Sequence, residues 1–101
     1  MRAIRHHRFG GPEVLVLDEL PTPEPGPREV LLRVHRAALN HFDVLSREGI
    51  FPGMPLPRIV GIDCTGFVER DGCGLLAPGT PVVVLGERMG NGGPGAYATQ
   101  V

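Results

Sequence analysis

The sequence predicts a mainly β domain, a small and partly open barrel with one short helix. Short apolar runs recur at a spacing of about 8–12 residues, which is typical of strands joined by tight turns, and 15 Gly and 11 Pro are interleaved with them. The one stretch with helical signals lies between Asn40, a helix-capping residue type, and Gly49, a helix-ending one. At 101 residues and 42% hydrophobic content, the chain is expected to form a single domain with a modest core.

Seven segments are predicted as strands, namely 1–8, 13–20, 29–39, 58–60, 63–69, 81–85 and 96–101. The third is the strongest, and its alternation predicts Val30, Leu32 and Val34 on one face, with Leu31 on the other. Pro21 to Pro27 is expected to be a stiff, extended connection over the surface. The segment from Phe51 to Pro57 carries three prolines and cannot be regular structure.

Charge and composition exclude several classes of partner. The formal net charge of −1 gives no reason to expect a nucleic-acid or membrane-surface partner. No run approaches the ~20 apolar residues of a membrane span, and Arg5 to Arg8 interrupt any signal peptide, so a cytoplasmic location is expected. A local basic cluster near the N-terminus is interpreted as a solvated strand face; it comprises Arg2, Arg5, His6, His7 and Arg8. Cys64 and Cys73 are expected to be reduced thiols.

Three segments, taken in order, carry a resemblance to a known family. Asn40-His41-Phe42-Asp43 follows the long strand, Gly61-Ile62-Asp63-Cys64-Thr65-Gly66 follows about twenty residues later, and Pro78-Gly79-Thr80-Pro81-Val82 comes next. Together they resemble the medium-chain dehydrogenase/reductase family, in its zinc-free quinone oxidoreductase-like branch. The resemblance extends over the whole chain, 1–101, and implies the N-terminal, GroES-like substrate domain.

The resemblance implies a function that this domain would share with a second one. It implies an NADPH-dependent oxidoreductase that reduces a quinone or an α,β-unsaturated carbonyl, with the nucleotide held by a separate Rossmann domain. No strand-turn-helix unit of that kind is found in the 101 residues, so a fragment that is inactive alone is expected, and a homodimer of the parent enzyme is compatible with it. The alternative is a stand-alone, non-enzymatic binding or scaffold module built on the same barrel.

The resemblance also assigns candidate site residues. Asn40 and Asp43 are the candidate catalytic pair, Asn40 and Asp63 are expected to contact the cofactor, and three residues are expected to line the substrate cleft, namely His41, Leu45 and Phe51. Leu45 and Phe51 stand where some family members carry Tyr, which implies a more apolar substrate or a different polar contact. A purely structural interpretation of Asn40 and Asp43 stays open, because an Asn with an acid three residues later is a reciprocal helix cap.

Metal and nucleophile chemistry are not expected. Zinc-dependent relatives place Cys where Asn40 stands and His-Glu where Ile62-Asp63 stands, and Asn and Ile are poor zinc ligands. The segment from Gly86 to Gly95 contains no Cys and therefore lacks the relatives' structural-zinc lobe. Cys64 is expected to be an inert buried thiol. Gly90 to Gly95 is not expected to bind phosphate, because a strand rather than a helix is predicted to follow it.

Overall fold

The computed structural model describes residues 1–86, 89–90 and 93–101, and these form two three-stranded sheets that curve into a partly open barrel. The elements are β1 (Arg2–His6), β2 (Leu15–Glu19), β3 (Val30–Ala37), α1 (His41–Glu48), β4 (Arg58–Ile59), β5 (Asp63–Asp71) and β6 (Pro81–Leu85), with a 3₁₀ turn at Pro12–Val14. One sheet has the order β2-β1-β4 and the other β3-β5-β6, and every pairing is antiparallel. The predicted fold class is confirmed.

The alternation predicted for β3 is wrong at its start. Leu31 and Leu32 are both buried, although neighbours on a regular strand point to opposite faces. The register of β3 against β5 shifts between these two residues, and such a bulge allows consecutive side chains to enter the same core.

The last predicted strand, 96–101, is not a regular strand. It makes isolated bridges instead, from Ala98 to Ala3 in β1 and from Gln100 to Arg33 in β3. The N–H of Ile4 donates to the Tyr97 carbonyl at 2.7 Å, and the N–H of Leu32 donates to the Val101 carbonyl at 2.7 Å. Because the segment passes from one sheet to the other, it cannot maintain a single ladder, and it joins the two sheets of the barrel.

The helix α1 begins and ends at the predicted residues. Asn40 is its N-cap with extended backbone, and Gly49 closes it in the left-handed conformation at φ +86°. Asp43 and Ser46 are buried on the face that packs onto the barrel. The most buried side chains of the helix are therefore polar ones.

The basic cluster near the N-terminus is only partly a solvated face. His7 is exposed and its Nε2 lies 3.0 Å from Asp18 Oδ2, whereas His6 is fully buried. Strand alternation sends His6 inward, where its cross-strand neighbour is Arg58. Cys64 is buried, Cys73 is exposed, and both are free thiols as predicted. Among the described residues, no helix is long and apolar enough to cross a membrane.

Candidate active site

The side chains of Asn40 and Asp63 meet where three strands end. Asn40 follows β3, Asp63 opens β5, and the Asn40 Nδ2 donates to Asp63 Oδ2 at 3.1 Å. The other oxygen of Asp63 accepts the N–H of Gly86, just after β6, at 3.1 Å. Two residues 23 positions apart in sequence thus bind the ends of β3, β5 and β6 together.

Asp43 lies beneath this pair and is almost completely buried, at 5% exposure. Its Oδ1 accepts the N–H of Gly61 at 3.1 Å, and its Oδ2 accepts the N–H of Asn40 at 2.9 Å and the hydroxyl of Tyr97 at 2.9 Å. Three donors compensate the desolvation of the carboxylate. The group is consequently held in one orientation, against the start of the helix.

Asn40 and Asp43 form a capping box, as their spacing predicts. Its stronger half is the bond from the Asn40 N–H to the Asp43 carboxylate. The contact of the Asn40 side chain with the Asp43 N–H falls short of a full hydrogen bond, because that N–H points to the Asn40 main-chain carbonyl at 3.0 Å. The Asn40 amide is therefore only partly engaged by the cap.

Tyr97 is a site residue that the sequence analysis did not identify. Burial and the hydrogen bond to the negatively charged Asp43 raise the pKa of its phenol far above the ordinary value. The hydroxyl thus stays protonated and acts as a donor. The only sequence signal was an aromatic residue in a predicted strand, which does not reveal where its hydroxyl points.

Apolar residues adjoin Asn40 and Asp63 along the chain and across the sheet. Leu39, directly before Asn40, is 86% exposed, and Leu85, the cross-strand neighbour of Asp63, is 80% exposed. Phe42 and Phe51 stack with ring centroids 4.8 Å apart and planes 22° apart. A polar contact bordered by exposed leucines is suited to a ligand or a protein surface that excludes water.

The remaining predicted cleft residues are less closely tied to this contact. His41 is exposed at the first position of α1 and Leu45 is half-buried. Among the hydrogen bonds of the described residues, none joins His41 to Asp43. The structure therefore brings together Asn40, Asp43 and Asp63, and it places Phe51 against Phe42.

The donor set around Asn40 does not suit zinc. Among the described residues, no group of three or more His, Cys, Asp or Glu side chains could hold a metal ion. Asp63 uses both oxygens for hydrogen bonds, and Asn40 supplies an amide where a soft or anionic ligand would be needed.

Cys64 is buried beside Met89, with 3.9 Å between the sulfur atoms, and burial raises the pKa of its thiol.

In the glycine-rich segment from Gly90 to Gly95, residues 91 and 92 lie outside the described part of the chain. Gly90 has φ +63°, and its N–H donates to the Pro94 carbonyl at 2.9 Å. No helix follows in residues 93–101. The helix N-terminus that a phosphate-binding loop requires is therefore missing there, as predicted.

Comparison with known proteins assigns the domain to a family. Residues 26–101 match the family model described as the alcohol dehydrogenase GroES-like domain. The quinone oxidoreductase of Rattus norvegicus is 40% identical over 79 residues, which cover 76% of this chain and 24% of that protein. The chain therefore spans about a quarter of the length of this relative.

Solved structures agree with the sequence match. An NAD-dependent alcohol dehydrogenase superposes with a TM-score of 0.91 at 40% identity, covering 100% of this chain and 36% of the other. The Escherichia coli quinone oxidoreductase complexed with NADPH gives a TM-score of 0.88 at 28% identity, covering 100% of this chain and 30% of the other. Quinone oxidoreductases are among its relatives. The chain belongs to the alcohol dehydrogenase GroES-like domain family and corresponds to the N-terminal domain of medium-chain dehydrogenases/reductases.

Proposed function

We propose that this domain is the substrate side of an NADPH-dependent reductase that acts on a quinone or an α,β-unsaturated carbonyl. The observation that carries the proposal is the Asn40–Asp63 contact, a polar pair bordered by the exposed side chains of Leu39 and Leu85. Such a surface offers a small number of directed hydrogen bonds within an apolar wall, which is the arrangement that binds a flat carbonyl compound.

Asn40 is proposed to orient the carbonyl oxygen of the substrate. One N–H of its amide donates to Asp63, so the second N–H remains available for an acceptor. When a hydride adds to a quinone or a conjugated alkene, negative charge develops on the carbonyl oxygen, and a fixed donor stabilises it. Asp63 holds the amide in place and thereby sets the direction of the free N–H.

Asp43 and Tyr97 are proposed to position Asn40 rather than to exchange protons. All three hydrogen bonds of Asp43 go to groups of the domain itself, and its carboxylate is sealed from solvent. The catalytic role expected for Asp43 thus becomes a positioning role in this proposal.

NADPH, bound mainly by a nucleotide-binding domain beyond these 101 residues, supplies the hydride in this proposal. The NADPH complex of the Escherichia coli quinone oxidoreductase, whose matching domain is 28% identical, supports this choice of nucleotide. Asn40 and Asp63 are proposed to face the nicotinamide, because their amide and carboxylate suit its carboxamide group. The domain alone is expected to have no reductase turnover.

A second candidate is a zinc-dependent alcohol dehydrogenase, since a cobalt- and zinc-bound alcohol dehydrogenase from Pyrobaculum aerophilum matches this chain at 32% identity. The chain argues against a zinc enzyme, because neither a thiolate nor an imidazole is present at Asn40, Ile62 or Asp63. A non-enzymatic scaffold module is the third, and it would give Asn40 no function beyond the helix cap.

Asn40 variants distinguish these candidates in the polypeptide encoded by the complete reading frame. Asn40→Ser retains a capping oxygen but not the amide, whereas Asn40→Ala loses both and should cost roughly 0.5–2 kcal/mol of stability. Asn40→Ser loses the bond to Asp63, so we expect it to be somewhat less stable than the wild type but more stable than Asn40→Ala. We expect its kcat/KM for NADPH-dependent quinone reduction, measured well below its melting temperature, to fall by about tenfold or more, the value of one hydrogen bond.

An unchanged kcat/KM in Asn40→Ser would leave only the capping role. Treatment with a chelator is the control for the second candidate. Activity on alcohols that disappears with the chelator and returns with zinc would identify a zinc enzyme instead. Absence of any oxidoreductase activity in the complete polypeptide would favour the scaffold.

A further inference from the structure

A cavity of about 250 Å³ opens between β1, β4 and the proline-rich connection before β4, away from the candidate active site. Its apolar part comprises Leu20, Ile59 and prolines 55, 57 and 94, and Gly93, Arg5 and Arg58 line it as well. Neither Asn40 nor Asp63 borders it. One water molecule needs only about 10–15 Å³ of cavity volume, so this cavity can accommodate a small ligand.

Arg58 is a buried cation without an acidic partner among the described residues. It is only 8% exposed, and its Nη2 donates to the Gly90 carbonyl. The Nε and Nη1 atoms are buried and have no hydrogen-bond partner in the described part of the chain, which leaves three N–H donors unused there. Burial lowers the pKa of the guanidinium, yet Arg remains charged in proteins, so the charge requires compensation.

The neighbouring groups do not supply that compensation. His6, the cross-strand neighbour, has its Nδ1 3.0 Å from the Arg8 carbonyl, an acceptor, so Nδ1 carries the proton. Burial lowers the pKa of His6, and a neutral imidazole brings no negative charge. Asp18 pairs with Arg5 and His7 instead. Among the residues that the structure describes, the charge of Arg5 is thereby balanced, and that of Arg58 is not.

We propose that this cavity binds a small oxyanion, the carboxylate or phosphate group of a ligand, through the Arg58 guanidinium. Buried water could satisfy some of the N–H groups but could not balance the charge, whereas a carboxylate or phosphate oxygen does both. Prolines 55 and 57 and Ile59 line the cavity beside Arg58, and an apolar wall strengthens the attraction by lowering the local dielectric. Because Arg58 also holds the carbonyl of Gly90, occupancy would fix the turn at that residue.

Nuclear magnetic resonance of the arginine Nε–H groups tests the proposal in the 101-residue chain. Inorganic phosphate and acetate are titrated separately, at constant ionic strength maintained with sodium chloride. We expect a saturable shift of the Arg58 Nε–H signal with one or both anions. Arg36 is the internal control, because it is exposed on β3 and its Nη1 donates to the His35 carbonyl at 3.5 Å.

Thermal unfolding provides a second readout. At ten times the Kd, the bound anion should raise the melting temperature by roughly 5–10 °C, and Arg58→Gln should abolish this rise while Arg36→Gln retains it. A response to phosphate alone or to acetate alone supports the site and identifies the ligand group. The proposal is overturned if neither anion shifts the Arg58 signal, or if Arg36 shifts equally. If Arg58→Gln does not fold, the wild-type titration decides alone.

Discussion

Asp43 connects more parts of the site than any other single side chain described above. It receives donors from the helix start, from Gly61 before β5 and from Tyr97 in the segment that joins the two sheets. A shift in any of these three segments would move the carboxylate, and with it the backbone of Asn40. The orientation of the Asn40 amide is thus a property of the packed domain rather than of α1 alone.

Removing the Tyr97 hydroxyl tests this dependence. Tyr97→Phe keeps the ring but takes one donor from the buried Asp43 carboxylate, so we expect the free energy of unfolding to fall by about 1.5–3 kcal/mol. Urea denaturation of the 101-residue chain measures it. Thr22→Val is the matched control, because it removes a hydroxyl that donates to Gln100 on the exposed surface, and it should change stability by less than about 0.5 kcal/mol. Equal effects of the two variants would contradict the role assigned to Tyr97.

Single residue types predicted part of this site. Asn40 and Asp43 have the spacing of a helix cap, and Asp63 opens a strand in a segment that resembles a family motif. The contact of Asp43 with Tyr97 spans 54 residues, and no local pattern encodes such a distance. His6 was misassigned for a similar reason, since its burial depends on which strand, β4, lies beside it.

At the scale of elements, the end of α1 depends on a glycine. Gly49 has φ +86°, and a Cβ placed there would lie 2.7 Å from Cγ of Phe9. Gly53 has a similar φ of +77° but nothing within 4 Å of such a Cβ. An alanine at either position would therefore be strained by the positive φ, but only an alanine at position 49 would also collide with Phe9.

We therefore expect Gly49→Ala to destabilise the domain by roughly 2–4 kcal/mol, compared with roughly 1–2 kcal/mol for Gly53→Ala. The difference between the two free energies of unfolding, measured in urea, isolates the contact with Phe9. Equal costs would mean that Phe9 moves aside freely and does not anchor the helix end.

Asp71 organises the turn after β5 through its side chain. Its carboxylate accepts the N–H groups of Leu76 and Leu75 at 2.7 Å and that of Cys73 at 2.8 Å. Hydrogen bonds to the charged form, that of Leu76 first, lower the pKa of Asp71 below its ordinary value. The carboxylate therefore stabilises the folded state only while it is ionised.

The resulting pH dependence has a definite sign. A lowered folded-state pKa contributes stability above the ordinary aspartate value of about 3.9 and loses it as the pH falls through the folded-state pKa. The urea midpoint of the wild type should thus fall more steeply than that of Asp71→Asn below about pH 4. Glu19→Gln removes an exposed carboxylate on β2 and is the control. If the urea midpoints of the wild type and Asp71→Asn fell in parallel with pH, the stabilising role assigned to the Asp71 carboxylate would be refuted.

At the scale of the whole molecule, the barrel depends on residues 96–101. Bridges from this segment reach both β1 and β3, and the N–H groups of Ala96 and Tyr97 also donate to the carbonyls of Gly61 and Val60, each at 3.0 Å. Strand propensity was visible in the sequence, but the division of the segment between two sheets was not. Turn residues and alternation predicted the fold class because they act locally, whereas bulges and crossings depend on the assembled barrel.

The central claim is that this domain forms the substrate side of a hydride-transferring reductase. Deuterium transfer from NADPH labelled at C4 to an α,β-unsaturated ketone tests it most directly, with the polypeptide of the complete reading frame as catalyst. We expect deuterium at the β-carbon of the product, delivered from only one of the two stereospecifically labelled forms, while the α-carbon takes its proton from water. Two results would contradict the claim. One is reduction of the ketone without deuterium at the β-carbon, and the other is a polypeptide that does not reduce the ketone but oxidises alcohols in the presence of zinc.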